Sequence, residues 1–145
     1  MSTKAHAQHN KDACEFLLAN TKFHDWVVTT AFYSAMHYVQ SRIFPYNDGT
    51  TTFTDIDVYV DHINAENRKA KRNTISKHRA VIKLVERQLP SIQAEYRKLF
   101  DTCMNARYYM YKMQKAYATD AQQELLIIEQ HCYPPAAPKT PKAKK

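Results

Sequence analysis

The stretch SIQAEYRKLFDTCMNARYYMYKM, Ser91–Met113, decides the fold class. Ile92, Tyr96, Leu99, Cys103, Ala106, Met110 and Met113 follow one another at alternating steps of four and three. That spacing is the apolar seam of a helix packed in a bundle. Downstream, Thr119-Asp-Ala-Gln122 reads as a capping box that opens a last helix, with Ala121, Leu125, Ile128 and Cys132 turned inward. Upstream, Pro90 marks a break. Before it, Ser76 is placed to cap a helix whose apolar face is Val81, Ile82, Val85 and Leu89, with His78 on the same side. Arg79, Lys83 and Arg87 step by four along another side of that helix.

Nearer the N-terminus, a helix is expected from about Ala5 to Asn20, burying Ala13, Phe16 and Leu17. A second follows Asp25 as its N-cap and runs to about Phe44, with Val28, Phe32, Ala35, Met36, Val39 and Ile43 as its stripe. Thr54–Lys71 supports two periods. Ile56, Val58 and Val60 alternate as in a strand, whereas Ile56, Tyr59, Val60 and Ile63 fit a helix. A lone strand has no partner here, so a helix is expected and no sheet.

Glycine content agrees. Gly49 is the only glycine in 145 residues, and sandwiches, barrels and α/β folds need glycine at turns of positive φ. Its scarcity also excludes a Walker A loop and a dinucleotide-binding fingerprint. The reading is therefore all-α: an up-and-down four-helix bundle with an additional short helix over residues 1–133, then a disordered Pro/Ala/Lys tail over residues 134–145. No internal repeat is present.

The net charge is +7. The tail holds four lysines and no acid; removing those four from 21 basic residues leaves 17 against 14 acidic ones, a net of +3. Bulk charge on the folded part is thus a weak argument for nucleic acid. Cys14, Cys103 and Cys132 are odd in number and lack a CxxC. Reduced cytoplasmic thiols are expected rather than a disulfide framework or a zinc–cysteine site. The first residues, MSTKAHAQHNKD, hold no apolar core of an export signal, and no run approaches 18 apolar residues, so no membrane partner is expected.

Trp26, Tyr33, His37 and Gln40 share one side of the second helix, beside its stripe. His78 opens a later helix on its inward face, and Arg107 stands beside the Ser91–Met113 seam. Packed together, two imidazoles, a guanidinium and tyrosine hydroxyls suit phosphoryl or RNA chemistry: imidazole exchanges protons near neutrality and guanidinium holds phosphate in a fork. The competing and preferred reading is a satisfied polar network in the core. Asp55, Asp57 and Asp61-His62 invite a metal reading, but Tyr59 and Val60 stand where an EF-hand needs a ligand and a glycine; a solvated acidic loop is preferred. His6 and His9 lack a supporting carboxylate or second pair. Neither a metal nor a cofactor is expected. Tyr108, Tyr109, Tyr111 and Tyr117 suit base stacking or, preferably, packing.

DWVVTTAFYSAMHYV (Asp25–Val39) and SKHRAVIKLVERQLPSIQAEYRKLFDTCMNARYYMY (Ser76–Tyr111) together resemble HEPN domains of prokaryotes. The likeness covers about Ala5–Ile128. It lies in an aromatic pair before a His, a His opening a helix, Tyr96 and Leu99, and the closing Arg107-Tyr108. The resemblance implies a bundle of four main helices, frequent homodimers, and association with RNA, nucleotides, or toxin–antitoxin and defence systems. Many members are metal-independent ribonucleases marked by Arg, a polar residue, and a His after four to six intervening residues. Arg72-Asn73-Thr-Ile-Ser-Lys-His78 matches, with five intervening residues, and implies Arg72, Asn73 and His78 as catalytic. His37, Arg79, Arg107 and Tyr108 are the candidate binding residues. Three functions follow. The first is a non-catalytic module for RNA, a nucleotide or a partner protein from a neighbouring gene. The second is an endoribonuclease using Arg72 and His78. The third is a structural helical adaptor.

Overall fold

The computed structural model describes residues 2–110, 112–138 and 141. Six helices, one 3₁₀ turn and a two-stranded ladder follow in the order α1 (Thr3–Asn20), α2 (His24–Ile43), β1 (Tyr46–Asn47), β2 (Thr52–Phe53), α3 (Ile56–Lys69), α4 (Lys77–Gln88), the 3₁₀ turn Pro90–Ile92, α5 (Gln93–Tyr108) and α6 (Lys115–Cys132). Helix takes up 74% of the described residues, which places the chain in the all-α class. No helix among them is long and apolar enough to cross a membrane.

Eleven of the twenty residues of α2 are buried. A helix buried on most of its circumference belongs in the centre, and α2 packs against α1, α6, α5 and α4. Its stripe is as expected through Val39, with Ile43 only partly buried. α2 begins one residue before Asp25. Phe23 holds the N-cap position without a side-chain bond, and Asp25 lies in the first turn, where a carboxylate meets the positive end of the helix.

α1 differs from the expected stripe. Ala7 and Cys14 are its fully buried residues, Ala13 and Leu17 are partly covered, and Phe16 is 63% exposed. Near Ala7 the helices approach closely: Ser34 donates to the carbonyl of Ala7 at 2.7 Å, so a small side chain is required at that contact.

The loop after α2 contains the expected turn residues and also a strand pair that the absence of a partner argued against. Tyr46 pairs with Phe53 and Asn47 with Thr52, antiparallel. Gly49 sits at φ +100 in the turn, and Asp48 Oδ1 accepts from the backbone of Thr50 and Thr51. The ladder survives at two residues because Tyr46 and Phe53 bury their rings against Tyr59 of α3.

Asp55 caps α3 by accepting from Val58 N at 3.0 Å, which accounts for one of the acidic residues in that loop. α3 ends in a Schellman pattern: Lys71 is left-handed at φ 53, and Arg72 N–H reaches the Asn67 carbonyl at 2.8 Å. The side chain of Asn64 then ties down the following loop through both backbone groups of Ile75. Ser76 caps α4 as expected, accepting from Arg79 N at 3.3 Å.

α5 keeps its seam from Tyr96 to Ala106 and stops at Tyr108. Met110 is 50% exposed, while Met113 is buried from the connecting loop. α6 starts at Lys115, four residues before the capping box read at Thr119, whose hydroxyl instead donates to the Lys115 carbonyl. Burial of Ala118 extends the Ala121–Leu125–Ile128–Cys132 stripe by one turn, and that packing outweighs the local cap. The three cysteines are free and buried, and burial pushes each thiol up to about 11. Of the tail, residues 134–138 and 141 are exposed and without regular secondary structure. Lys139, Thr140 and residues 142–145 lie outside the described residues, as does Tyr111.

Candidate functional site

Phe32 builds the site. It points from α2 into the space between α4 and α5, with ring centroids 5.7 Å from His78, 5.9 Å from Tyr96 and 5.7 Å from Phe100. Tyr33, its neighbour, turns toward the rim and lies 6.2 Å from His78. One turn further along α2, His37 meets His6 of α1 edge-on at 5.1 Å. The Ser76 cap sets Lys77, His78 and Arg79 in the first turn of α4. The last turn of α5 supplies Arg107, which donates to the Tyr33 hydroxyl at 2.6 Å and lies 5.8 Å and 5.5 Å from the Tyr33 and Tyr108 rings.

The electrostatics are one-sided. His78 is held below its ordinary value by burial first, then by Arg107 and Lys77. His37 is lowered by burial, then by His6 and Lys77. The side chains that join burial in lowering the two imidazoles are all basic, and the Nδ1 atoms of both are buried with no hydrogen-bond partner among the described residues. Among the described residues Arg107 has no carboxylate partner, and Lys77 has Asp57 at 2.9 Å. The first turn of α4 carries no acid, although the exposed N–H groups there favour negative charge. Three basic residues stand where a stable helix prefers acidic ones.

The expected residues separate into two groups. Tyr33, His37, His78, Arg107 and Tyr108 converge on this site, and Arg79 flanks it. Arg79 lines a cavity of about 150 Å³ with Ile82, Lys83, Glu86, Arg97 and Phe100, and Phe100 also touches His78 at 6.0 Å. Arg72 and Asn73 are exposed in the α3–α4 connection. Among the described residues neither side chain makes a hydrogen bond or ion pair, and Arg72 is not among the charges acting on His78. Trp26 is 57% exposed at the start of α2, and Gln40 is buried.

His6 and Lys77 were not singled out for this site. For His6 the signal was present: a short turn near Lys22 folds α1 back on α2, so residues about equally far from it, such as His6 and His37, face each other. No group of three His, Cys, Asp or Glu side chains gathers as a metal site among the described residues. The geometry suits an anion held by guanidinium and ammonium, with neutral imidazoles available for proton exchange. No protein-family model, curated protein or solved structure matches this chain.

Proposed function

We propose that the protein is a HEPN-like, non-catalytic helical module that binds RNA or a nucleotide by its phosphate at His37, Lys77, His78 and Arg107. In this reading α1, α2, α5 and α6 are the four helices of the up-and-down bundle, α3 and α4 are additions to it, and the setting is a toxin–antitoxin or defence system. One observation carries the proposal: Lys77, His78 and Arg79 crowd the positive end of α4 beside Arg107, and among the described residues the one carboxylate in an ion pair with this group is Asp57, on Lys77. A fold selected for stability alone would place acid there. A phosphate supplies the missing charge and accepts from Arg107, from the imidazoles when protonated, and from the N–H groups of the first turn.

Fluorescence anisotropy of a labelled RNA oligonucleotide, with ATP as competitor, tests the reading. Arg107→Ala removes a charge-assisted contact worth about 1.5–3 kcal/mol and weakens binding roughly ten- to a hundredfold. Arg72→Ala changes it little. Equal affinity of Arg107→Ala and wild type would sink the proposal.

The second reading is a metal-independent endoribonuclease. It is favoured by one observation: Arg72 and Asn73 are exposed and uncommitted in the segment that leads directly to His78. In that reading Arg72 stabilises the scissile phosphate and His78 moves the proton.

A further inference from the structure

Large apolar side chains that stay exposed are concentrated at one end of the molecule. Phe16 and Phe23 are 63% and 62% exposed, Trp26 57%, Tyr108 65%, Tyr109 80% and Tyr117 46%. They come from the last turns of α1, the start of α2, the end of α5 and the start of α6. These elements are held together there: His24 Nδ1 lies 3.1 Å from the Met113 carbonyl, and Leu18, Phe23, His24 and Lys115 border an open hollow of about 790 Å³. Residues 16–26 and 107–117 contain a single carboxylate, Asp25, against Lys22, Arg107, Lys112 and Lys115. Asp25 is half-buried. Among the described residues Lys22, Arg107 and Lys115 have no ion-pair partner.

Flat rings left in water beside uncommitted cations match one ligand chemistry closely: unpaired bases joined by phosphates. We propose that this end is a stacking platform for single-stranded nucleic acid, with bases on Trp26, Tyr108 and Tyr109 and the backbone on Lys22, Arg107 and Lys115. The platform is continuous with the anion site through Arg107, which is bonded to Tyr33 on one side and lies over Tyr108 on the other. The inference therefore rests on the phosphate-binding reading and extends it from a phosphate to a strand of several nucleotides. A second copy of the protein fits this end poorly. A two-fold contact would set the basic rim against itself, so the homodimer implied by the HEPN resemblance would use another face.

Trp26 is the only tryptophan, and its fluorescence reports stacking directly. The full chain is titrated with decauridylate, with decathymidylate, with inorganic polyphosphate as a base-free chain, and with vesicles containing phosphatidylserine; anisotropy of labelled decauridylate is followed in parallel. The expected result is saturable quenching by either oligonucleotide and none by polyphosphate. Tyr109→Ala should weaken oligonucleotide binding by about tenfold, leave polyphosphate affinity unchanged, and keep the helical circular dichroism of wild type. A rise in anisotropy without Trp26 quenching overturns the platform and leaves the phosphate site standing. Absence of any oligonucleotide or nucleotide binding overturns both. A Trp26 response to vesicles but not to oligonucleotides, or to protein concentration alone, assigns the end to a membrane surface or to a second copy and overturns the proposal.

Discussion

The guanidinium of Arg107 donates to the hydroxyl of Tyr33 at 2.6 Å, joining the end of α5 to the middle of α2 across 74 residues. A phenol is a weak partner for a guanidinium, and among the described residues Arg107 has no carboxylate. The bond orients the fork without neutralising it, and the remaining charge acts on His78. Arg107→Ala should therefore raise the pKa of His78 toward its ordinary value, because a repelling cation is removed while the burial stays. Histidine titration by nuclear magnetic resonance measures this. A His78 pKa that falls in the variant would mean that Arg107 helps to solvate the ring instead.

The two lowered histidines make stability depend on pH, and the sign follows from linkage. Both His37 and His78 have folded values below the ordinary 6.5. Between the two values the unfolded chain binds more protons than the folded one, so stability rises with pH there. The contribution is fully present above about 6.5 and is lost as pH falls through the folded values. The melting temperature should drop between pH 7 and pH 5, and His37→Gln with His78→Gln should flatten the slope. A phosphate-bearing ligand should oppose the loss, since it favours the protonated rings. A melting temperature that climbs on acidification over this window would contradict the assigned direction.

Tyr96 offers a cleaner test of packing. It is 1% exposed, and its hydroxyl has no hydrogen-bond partner among the described residues; burial drives its pKa far upward. An unpaired buried hydroxyl costs about 1–3 kcal/mol. Tyr96→Phe keeps the ring against Phe32 and removes that cost, so urea denaturation should show a variant equal to wild type or more stable by up to about 1 kcal/mol. Destabilisation beyond that amount would show the hydroxyl to be bonded.

Ser34 makes the opposite case. Its hydroxyl is buried and donates to the carbonyl of Ala7, itself fully buried. Ser34→Ala leaves a small void and removes a partner of that carbonyl, at a cost of about 1–2 kcal/mol. Thermal melting of Ser34→Ala beside Ser41→Ala, whose hydroxyl is only part-buried, should show the larger loss for Ser34. Equal losses would mean that the α1–α2 contact does not depend on this bond.

How far the sequence was legible follows from where packing and local signals agree. The α5 seam was readable from Tyr96 to Ala106 because each of its residues is buried against α2 or α6. It misled at Met110, where the same period continues into a loop. The Thr119 capping box was sound as local chemistry and wrong as a helix start, because burial of Ala118 carried the helix back to Lys115, although the N-cap Gln114 makes no side-chain bond. Phe16 was placed inside on hydrophobicity, yet it is 63% exposed, and the fully buried residues of α1 are Ala7 and Cys14. At the site, Tyr33, His37, His78 and Arg107 were legible from shared helix faces. The cationic field was not, since Lys77 comes from the first turn of another helix and only packing brings it to bear on both imidazoles.

The last prediction concerns which reaction, if any, the site performs. If the protein is a ribonuclease, it cleaves RNA in EDTA, because the residues implied for the step are Arg72, Asn73 and His78 and the 2′-hydroxyl of the RNA is the nucleophile. His78→Ala then abolishes cleavage through loss of the proton carrier, and Arg72→Ala does so through loss of phosphate stabilisation. Because Arg72 is exposed, with no side-chain bond among the described residues, its variant keeps the melting temperature of wild type. If the protein is the binding module proposed above, the wild type leaves RNA intact, and Arg72→Ala is nearly silent in both assays. His78→Ala then lowers stability by about 1–3 kcal/mol, since it removes ring contacts to Phe32, Tyr33 and Phe100. Arg107→Ala lowers affinity more than stability, because its side chain lies at the exposed rim. Cleavage in EDTA and melting, measured on wild type and these three variants, separate the two. The binding pattern is the expected one: the charges acting on His78 are Arg107 and Lys77, not Arg72. EDTA-resistant cleavage lost in both His78→Ala and Arg72→Ala would establish the enzyme instead.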